Sequence, residues 1–205
     1  VVLDLKYPPT VSDWGSIAAQ VRAANPDLVW NSGLATDPVN LIQAMDQLNY
    51  QPPQFFTLFP APGPLLALGD RGDKVLSITL FEPNGRLLKR MGTKAQTIVS
   101  RFAQSAAANG LNYRVFDSQA TASWTAWEVL TAGVRGARSL DNQRVCNYLK
   151  ANGADTTFVG KLKFNPALNN FSVARNLVKQ IQNRRWVVVW PPNLRVARLQ
   201  GPSAG

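Results

Sequence analysis

An α/β fold with a parallel sheet is predicted for this chain by three observations: short apolar runs alternate with amphipathic stretches, the connections between them are short, and Pro, Gly and Asn punctuate the junctions. Strand-helix alternation of that kind is the signature of βαβ units, in which each crossover helix packs back onto the sheet. The first run, Val1 to Leu5, is read as a short strand stopped by Pro8-Pro9. Ser12 or Asp13 can then cap a helix whose Trp14, Ile17, Ala18 and Val21 fall on one face. Asn25-Pro26-Asp27 ends that helix, and Leu28-Val29-Trp30 reads as a strand too apolar to be half-exposed. Asn31-Ser32-Gly33 breaks it. Asp37 is placed to cap the next helix, with Pro38 in its first turn and Val39, Leu41, Ile42, Met45 and Leu48 as its buried face. A strand over 54–59, a Pro/Gly loop over 60–64 and a strand over 74–81 follow.

Beyond residue 82 the pattern turns helical. Thr93 and Gln96 form a capping box that opens a helix to about Ala108. A second helix, with Trp124 and Trp127, spans about Ser118 to Arg135. A third is capped near Ser139 or Asp141 and ends at Gly153. Strand-like runs at Thr157–Gly160 and Arg185–Trp190 close the pattern, and the tail from Asn193 has no periodicity.

Composition narrows the chemistry. The 205 residues are 45% hydrophobic and 17% charged, enough apolar content to offset the entropy of ordering. There is no histidine, which excludes Ser-His-Asp catalysis and removes the commonest metal ligand. Cys146 is the one cysteine, so neither an intrachain disulfide nor a Cys-rich zinc site can form. No cofactor is expected. No run of about 18 apolar residues marks a membrane span. The start, Val-Val-Leu-Asp-Leu-Lys-Tyr, lacks the features of a signal peptide and reads as a processed or partial product.

The net charge of +10 is unevenly distributed. Residues 1–80 hold four basic residues against seven aspartates, a net of −3, whereas residues 81–205 hold eighteen against five, a net of +13. Basic residues such as Arg184-Arg185 and Lys161/Lys163 could face phosphates, but no nucleic-acid motif accompanies them and a solvated face is the plainer reading. Gly69-Asp70-Arg71-Gly72 lacks the spacing of a phosphate loop. Asp70 and Asp73 read as a solvated turn rather than an acid/base pair.

Several ordered features carry a resemblance: Tyr7-Pro8-Pro9 with Asp13-Trp14, Ala23-Ala24-Asn25-Pro26-Asp27-Leu28-Val29, Leu48-Asn49-Tyr50, Leu68-Gly69-Asp70 before Val75-Leu76, Ser139-Leu140-Asp141, Phe158-Val159-Gly160-Lys161-Leu162-Lys163-Phe164-Asn165, and Arg185 to Pro191. Over residues 1–192 the chain resembles the carboxyl-terminal half of the leucine/isoleucine/valine-binding type of periplasmic solute-binding protein serving ABC importers. The resemblance implies a type I periplasmic-binding-protein fold with Rossmann-like lobes, the second largely present and the first incomplete. It assigns 1–82 to the second lobe, 83–155 to a helical portion returning to the first, 156–192 to a return to the second, and 193–205 to an irregular tail. The change of charge near Phe81 then coincides with a crossover between lobes, where Glu82 would serve the hinge.

The resemblance further implies a non-enzymatic, extracytoplasmic protein, released from a signal peptide this chain does not carry, that hands a small solute to a permease. A separate amino-terminal half or a second copy would supply what is missing; nucleic acid and membrane insertion are not expected. A ligand-sensing regulatory domain on the same scaffold is the alternative, and a basic nucleic-acid-binding domain a third reading. In parallel sheets, ligands bind beyond the carboxyl ends of strands. The candidates there are Asn31, Ser32, Leu34, Ala35 and Phe59, with Trp124 carried over as an aromatic facing the cleft. Leu34, Ala35 and Phe59 would form an apolar wall; Asn31, Ser32 and Thr36 could supply hydrogen bonds, while Asp37 reads as a cap and Trp127 as core. At Thr57-Leu58-Phe59-Pro60, where amino-acid-binding members place a carboxylate, this chain has none. An aromatic or aliphatic acid is therefore expected over an α-amino acid, whose buried ammonium would lack a counter-charge.

Overall fold

A computed structural model describes residues 1–165, 167, 168, 170 and 176–201. The chain divides into two units: Val1–Ile78 with Val178–Gly205, and Thr79–Leu177.

In the first unit, α1 (Trp14–Ala24) begins because the Asp13 carboxylate accepts the Ser16 N–H at 3.0 Å, and it stops at Asn25 in the left-handed region. Strands β1 (Leu28–Ala35), β2 (Gln54–Pro60) and β3 (Leu76–Thr79) are joined by α2 (Asp37–Gln47), α3 (Pro62–Ala67) and a 3₁₀ turn at Gly69–Gly72. The β1–β2 and β2–β3 pairs are parallel. The return segment adds β6 (Leu177–Gln182) and β7 (Arg185–Trp190), an antiparallel hairpin, giving a five-stranded mixed sheet in the order β1-β2-β3-β6-β7. Ala18, Val21, Val29, Leu41, Ile42, Met45, Phe55, Leu65, Val75, Ile181 and Trp186 are buried together as the core, with Trp14, Ile17 and Leu48 packed against it. The buried face predicted for α2 is the one observed.

Val1–Leu5 is extended but joins no ladder, which corrects the strand reading. Leu3 and Leu5 still pack against the core while Asp4 and Lys6 face outward. Nor does β1 end at Trp30: it continues to Ala35 through a bulge between Asn31 and Leu34. Leu28 and Trp30 are largely exposed rather than buried, because β1 is an edge strand and Trp30 lies on its outer side, stacked at 4.3 Å on Phe56. The Pro/Gly stretch expected as loop contains α3, whose first turn tolerates Pro62. β3 is shorter than 74–81 since Lys74 takes a positive φ of 67°.

The tail is held by side chains and by isolated backbone bonds such as Val196 N–H to the Val188 carbonyl at 2.9 Å, rather than by a strand ladder. Buried Gln180 donates to the Gln200 carbonyl at 3.0 Å and accepts the Gln200 N–H at 2.9 Å, while Gln182 donates to the Arg198 carbonyl at 2.8 Å.

The second unit consists of α4 (Gly85–Ala108), α5 (Ser118–Ala137), α6 (Asn142–Asn152) and a hairpin of β4 (Ala154–Thr156) and β5 (Gly160–Leu162). Asn84 caps α4 nine residues upstream of the expected cap, Thr93. Gly92, at φ 82° and ψ −179°, interrupts it, so the helical run predicted from Thr93 is its second segment. Asp117 caps α5 and Asp141, one of the two caps predicted, caps α6, which Gly153 closes at φ 71°. Residues 157–159 form the hairpin's turn rather than a strand. Gly133 and Gly136 let α5 lie close to α6: a Cβ at Gly136 would overlap the Tyr148 ring. Phe81, Phe102, Phe116 and Phe158 form an aromatic cluster with centroids 4.9–6.2 Å apart.

Candidate functional site

The parallel register of β1 and β2 sets their carboxyl ends side by side, Leu34 opposite Phe59 and Ala35 opposite Pro60. Both large side chains point to solvent, Leu34 at 65% and Phe59 at 52% exposure, forming an apolar pair at a strand end where burial would have been cheaper. Ala35 sits in the left-handed region at φ 50°, fixed on one side by its carbonyl, which accepts the Ala61 N–H at 2.8 Å.

The carboxyl end of β1, including its bulge, and the junction with α2 are held by a compact polar web. The Asp37 carboxylate accepts the Leu34 N–H at 3.1 Å and the Tyr7 hydroxyl at 3.3 Å. Asp37 is the first residue of α2, not its cap; Thr36 occupies the cap position without a side-chain bond. Asn31 is buried, with its carbonyl oxygen accepting the Gly33 N–H at 3.1 Å and its amide donating to the Tyr7 oxygen at 3.4 Å. Ser32 Oγ accepts the Trp30 indole N–H at 2.9 Å, leaving its own O–H available. Burial pushes the Tyr7 hydroxyl above its ordinary value; the Asn31 bond opposes this and the Asp37 charge adds to it.

Asn31, Ser32, Leu34, Ala35 and Phe59 are thus brought together at one end of the first unit's sheet. A cavity of about 390 Å³ lies at the opposite end of the same strands, lined by Met45, Tyr50, Phe55, Arg71 and Val75 among others. It contains none of the predicted residues and is spanned by an exposed Arg71–Asp46 pair at 2.9 Å, so the strand-end rule and not cavity size selects the site.

Trp124 belongs to the second unit. On α5, Thr121 and Thr125 are buried one turn apart, which turns Trp124 partly outward at 39% exposure. Trp127 is 68% exposed rather than core, and Leu130 is exposed with it. One turn beyond Trp124, Glu128 accepts from Lys94 Nζ at 2.8 Å, from the Thr157 N–H at 2.8 Å and from the Thr157 hydroxyl. Burial alone would raise its pKa; these bonds, together with the Trp124 indole, outweigh burial and hold the carboxyl below its ordinary value. Glu82 is buried, and its backbone carbonyl accepts the Asn84 amide. Burial first, then the charges of Asp117 and Glu82, drive the Tyr113 hydroxyl far above its usual range.

The charge follows the units. Thr79–Leu177 carries thirteen Lys and Arg against five acids, a net of +8, while the remainder carries nine against seven, a net of +2. Two of the second unit's acids, Glu82 and Asp117, are buried. In the first unit the returning segment brings Arg184 to Asp70 at 3.0 Å, and Asp73 accepts the Arg184 N–H at 3.4 Å, so this arginine closes the acidic turn. Among the described residues no cluster of His, Cys, Asp or Glu could hold a metal, and no helix is long and apolar enough to cross a membrane.

Sequence reasoning missed Tyr7 and Glu128 as supports of the candidate residues. For Glu128 a signal existed: it is the one acid on α5 and stands four residues after Trp124, hence on the same helix face.

A family model described as periplasmic binding protein matches residues 1–189. No curated protein matches. Solved structures do. A leucine-binding protein from Thermotoga maritima has a TM-score of 0.68 at 16% identity, over 90% of this chain and 50% of that one. A solute-binding protein of an ABC transporter from R. palustris, in complex with benzoate, has 0.64 at 18%, over 88% and 47%. A branched-chain amino acid ABC transporter protein from Thermus thermophilus with bound valine has 0.63 at 13%, over 87% and 48%. At these identities the likeness shows the fold, of the type I kind, and the chain spans about half the length of the structures it matches.

Proposed function

The chain belongs to the periplasmic binding protein family, and we propose that it forms the carboxyl-terminal half of an extracytoplasmic, non-enzymatic protein that captures a small organic acid for an ABC importer. The observation that carries the reading is the exposed Leu34–Phe59 pair at the strand ends. It offers an apolar body a place to rest. The strand end Thr57-Leu58-Phe59-Pro60 carries no carboxylate for an ammonium, and Asp37 turns its Oδ2 to the Leu34 N–H and the Tyr7 hydroxyl. The solute is an aromatic or aliphatic acid. Ser32 supplies a hydrogen bond at the strand ends; Trp124, partly exposed on the second unit, is an aromatic face suited to stacking on a ring. The benzoate complex of the R. palustris protein is in keeping with this class, whereas the valine complex of the T. thermophilus protein marks the competing one.

The +8 of the second unit adds an attractive field for an anion, an effect on encounter rate that falls with ionic strength. Partners on this reading are an ABC permease and a further polypeptide segment, or a second copy, covering exposed apolar positions such as Trp127 and Leu130.

A thermal-shift panel of aromatic acids, aliphatic acids and amino acids tests the reading. Stabilisation by aromatic or aliphatic acids is expected; stabilisation by amino acids alone would overturn it.

A further inference from the structure

Segment 31–37, the end of β1 and its junction with α2, is bonded to a residue far back in the sequence. Tyr7 precedes it by 24 to 30 positions, lies in a segment with no strand pairing, and yet its hydroxyl is the meeting point of the web. One oxygen serves two directions, donating to Asp37 and accepting from Asn31. The ring is fixed independently by an edge-on contact with Trp14, centroids 5.2 Å apart. Gly33 completes the arrangement by absence: a Cβ there would collide with the Tyr7 oxygen and stand 2.7 Å from Asp37, so the hydroxyl and the glycine backbone occupy each other's only available space.

We propose that Tyr7 is a positioning residue for the candidate site, its hydroxyl clamping segment 31–37 so that Leu34 is held opposite Phe59. The proposal rests on the functional reading above for its consequence in binding, but not for the clamp itself. Asn31 then works behind the solute rather than against it, because both ends of its amide are engaged within the web. The polar contribution of this segment to a solute falls to Ser32, and its shape to Leu34. Removing the hydroxyl orphans Asn31 Nδ2 and takes one of two donors from Asp37, while the ring keeps its place against Trp14.

The test is Tyr7→Phe in the full chain, read by amide hydrogen exchange and by titration with benzoate. Gly33 and Leu34 amides are expected to exchange about tenfold faster, with the core amides of Met45 and Phe55 unchanged, a pattern that a general loss of stability would not produce. Benzoate affinity should fall by about the same factor. Gly33→Ala provides the second arm. It should perturb Leu34 exchange less in the Tyr7→Phe background than in the natural chain, since the colliding oxygen is gone. Unchanged exchange at Gly33 and Leu34 in Tyr7→Phe would overturn the clamp. Faster exchange there supports it even in a protein to which benzoate does not bind; that failure of binding would instead count against the proposed solute class.

Discussion

Phe59→Ala separates binding from folding. The ring is 52% exposed, and an aromatic side chain presents about 200 Å² to a partner when fully covered. Roughly 100 Å² is therefore already buried by the fold, and roughly 100 Å² is left for a solute to cover. At about 25 cal/mol per Å² the uncovered part is worth about 2.5 kcal/mol, or about 70-fold in Kd. This is an upper figure, because a solute shares its contact between Phe59 and Leu34. The cost to folding is smaller than for a core phenylalanine, since half of the ring gains nothing from the folded state. Isothermal titration of natural and substituted chains with the best aromatic acid of the thermal-shift panel reads the first quantity, and the Tm without solute reads the second. A Kd that rises tenfold or more with a Tm loss of a few degrees is the expected outcome. An unchanged Kd, in a protein that binds the acid and keeps its Tm, would refute the assignment of Phe59 to the solute wall.

Gly136→Ala ought to destabilise by about 1–3 kcal/mol in chemical denaturation, because overlap with the Tyr148 ring outweighs the gain of about 1 kcal/mol that Ala brings to a helix interior. At Gly92 no neighbour lies within 4 Å, yet φ 82° with ψ −179° is a backbone region open essentially to glycine alone, so Gly92→Ala costs about 1–3 kcal/mol through strain, and Gly92→Asn, whose tolerance is for the left-handed helical region, should cost as much in the same assay. Glu128 gives a pH signature: its folded-state pKa lies below the ordinary 4.5, so the unfolded chain takes up the proton first as pH falls. Its contribution is fully present above 4.5, declines as pH drops toward the folded value, and is lost below it; Glu128→Gln should flatten that part of a stability–pH curve. Equal acid sensitivity in both proteins would show that the Lys94 and Thr157 bonds contribute nothing to stability.

Regular elements with local causes were legible in the sequence. Asp13, Asp141 and Gly153 mark their helix ends by chemistry that acts over three or four residues, and the buried face of α2 is a periodicity. Errors arose where the outcome depends on a distant neighbour. Val1–Leu5 has the composition of a strand, but pairing requires a partner that composition does not reveal. Trp30 looks buried until β1 is known to be an edge strand. β6 was missed because Leu-Val-Lys-Gln-Ile-Gln alternates weakly, its polar side chains being recruited into the interior by Trp186 and the tail. The candidate residues at the ends of β1 and β2 follow from a rule about parallel sheets, whereas their support by Tyr7 depends on a contact across 24 positions.

The chain leaves the first unit at Ile78 and returns at Val178, and this has a bearing on how the protein is made. The core of that unit includes Ile181 and Trp186, which are synthesised after the entire intervening segment. During synthesis residues 1–78 emerge before β6 and β7, so their sheet is incomplete until the return segment follows. The continuous segment Thr79–Leu177 carries no such dependence and can complete its helical packing first. Until Ile181 and Trp186 are made, the core of this unit is incomplete and apolar residues such as Val75 lack part of their packing, a state in which exposed apolar surface invites association.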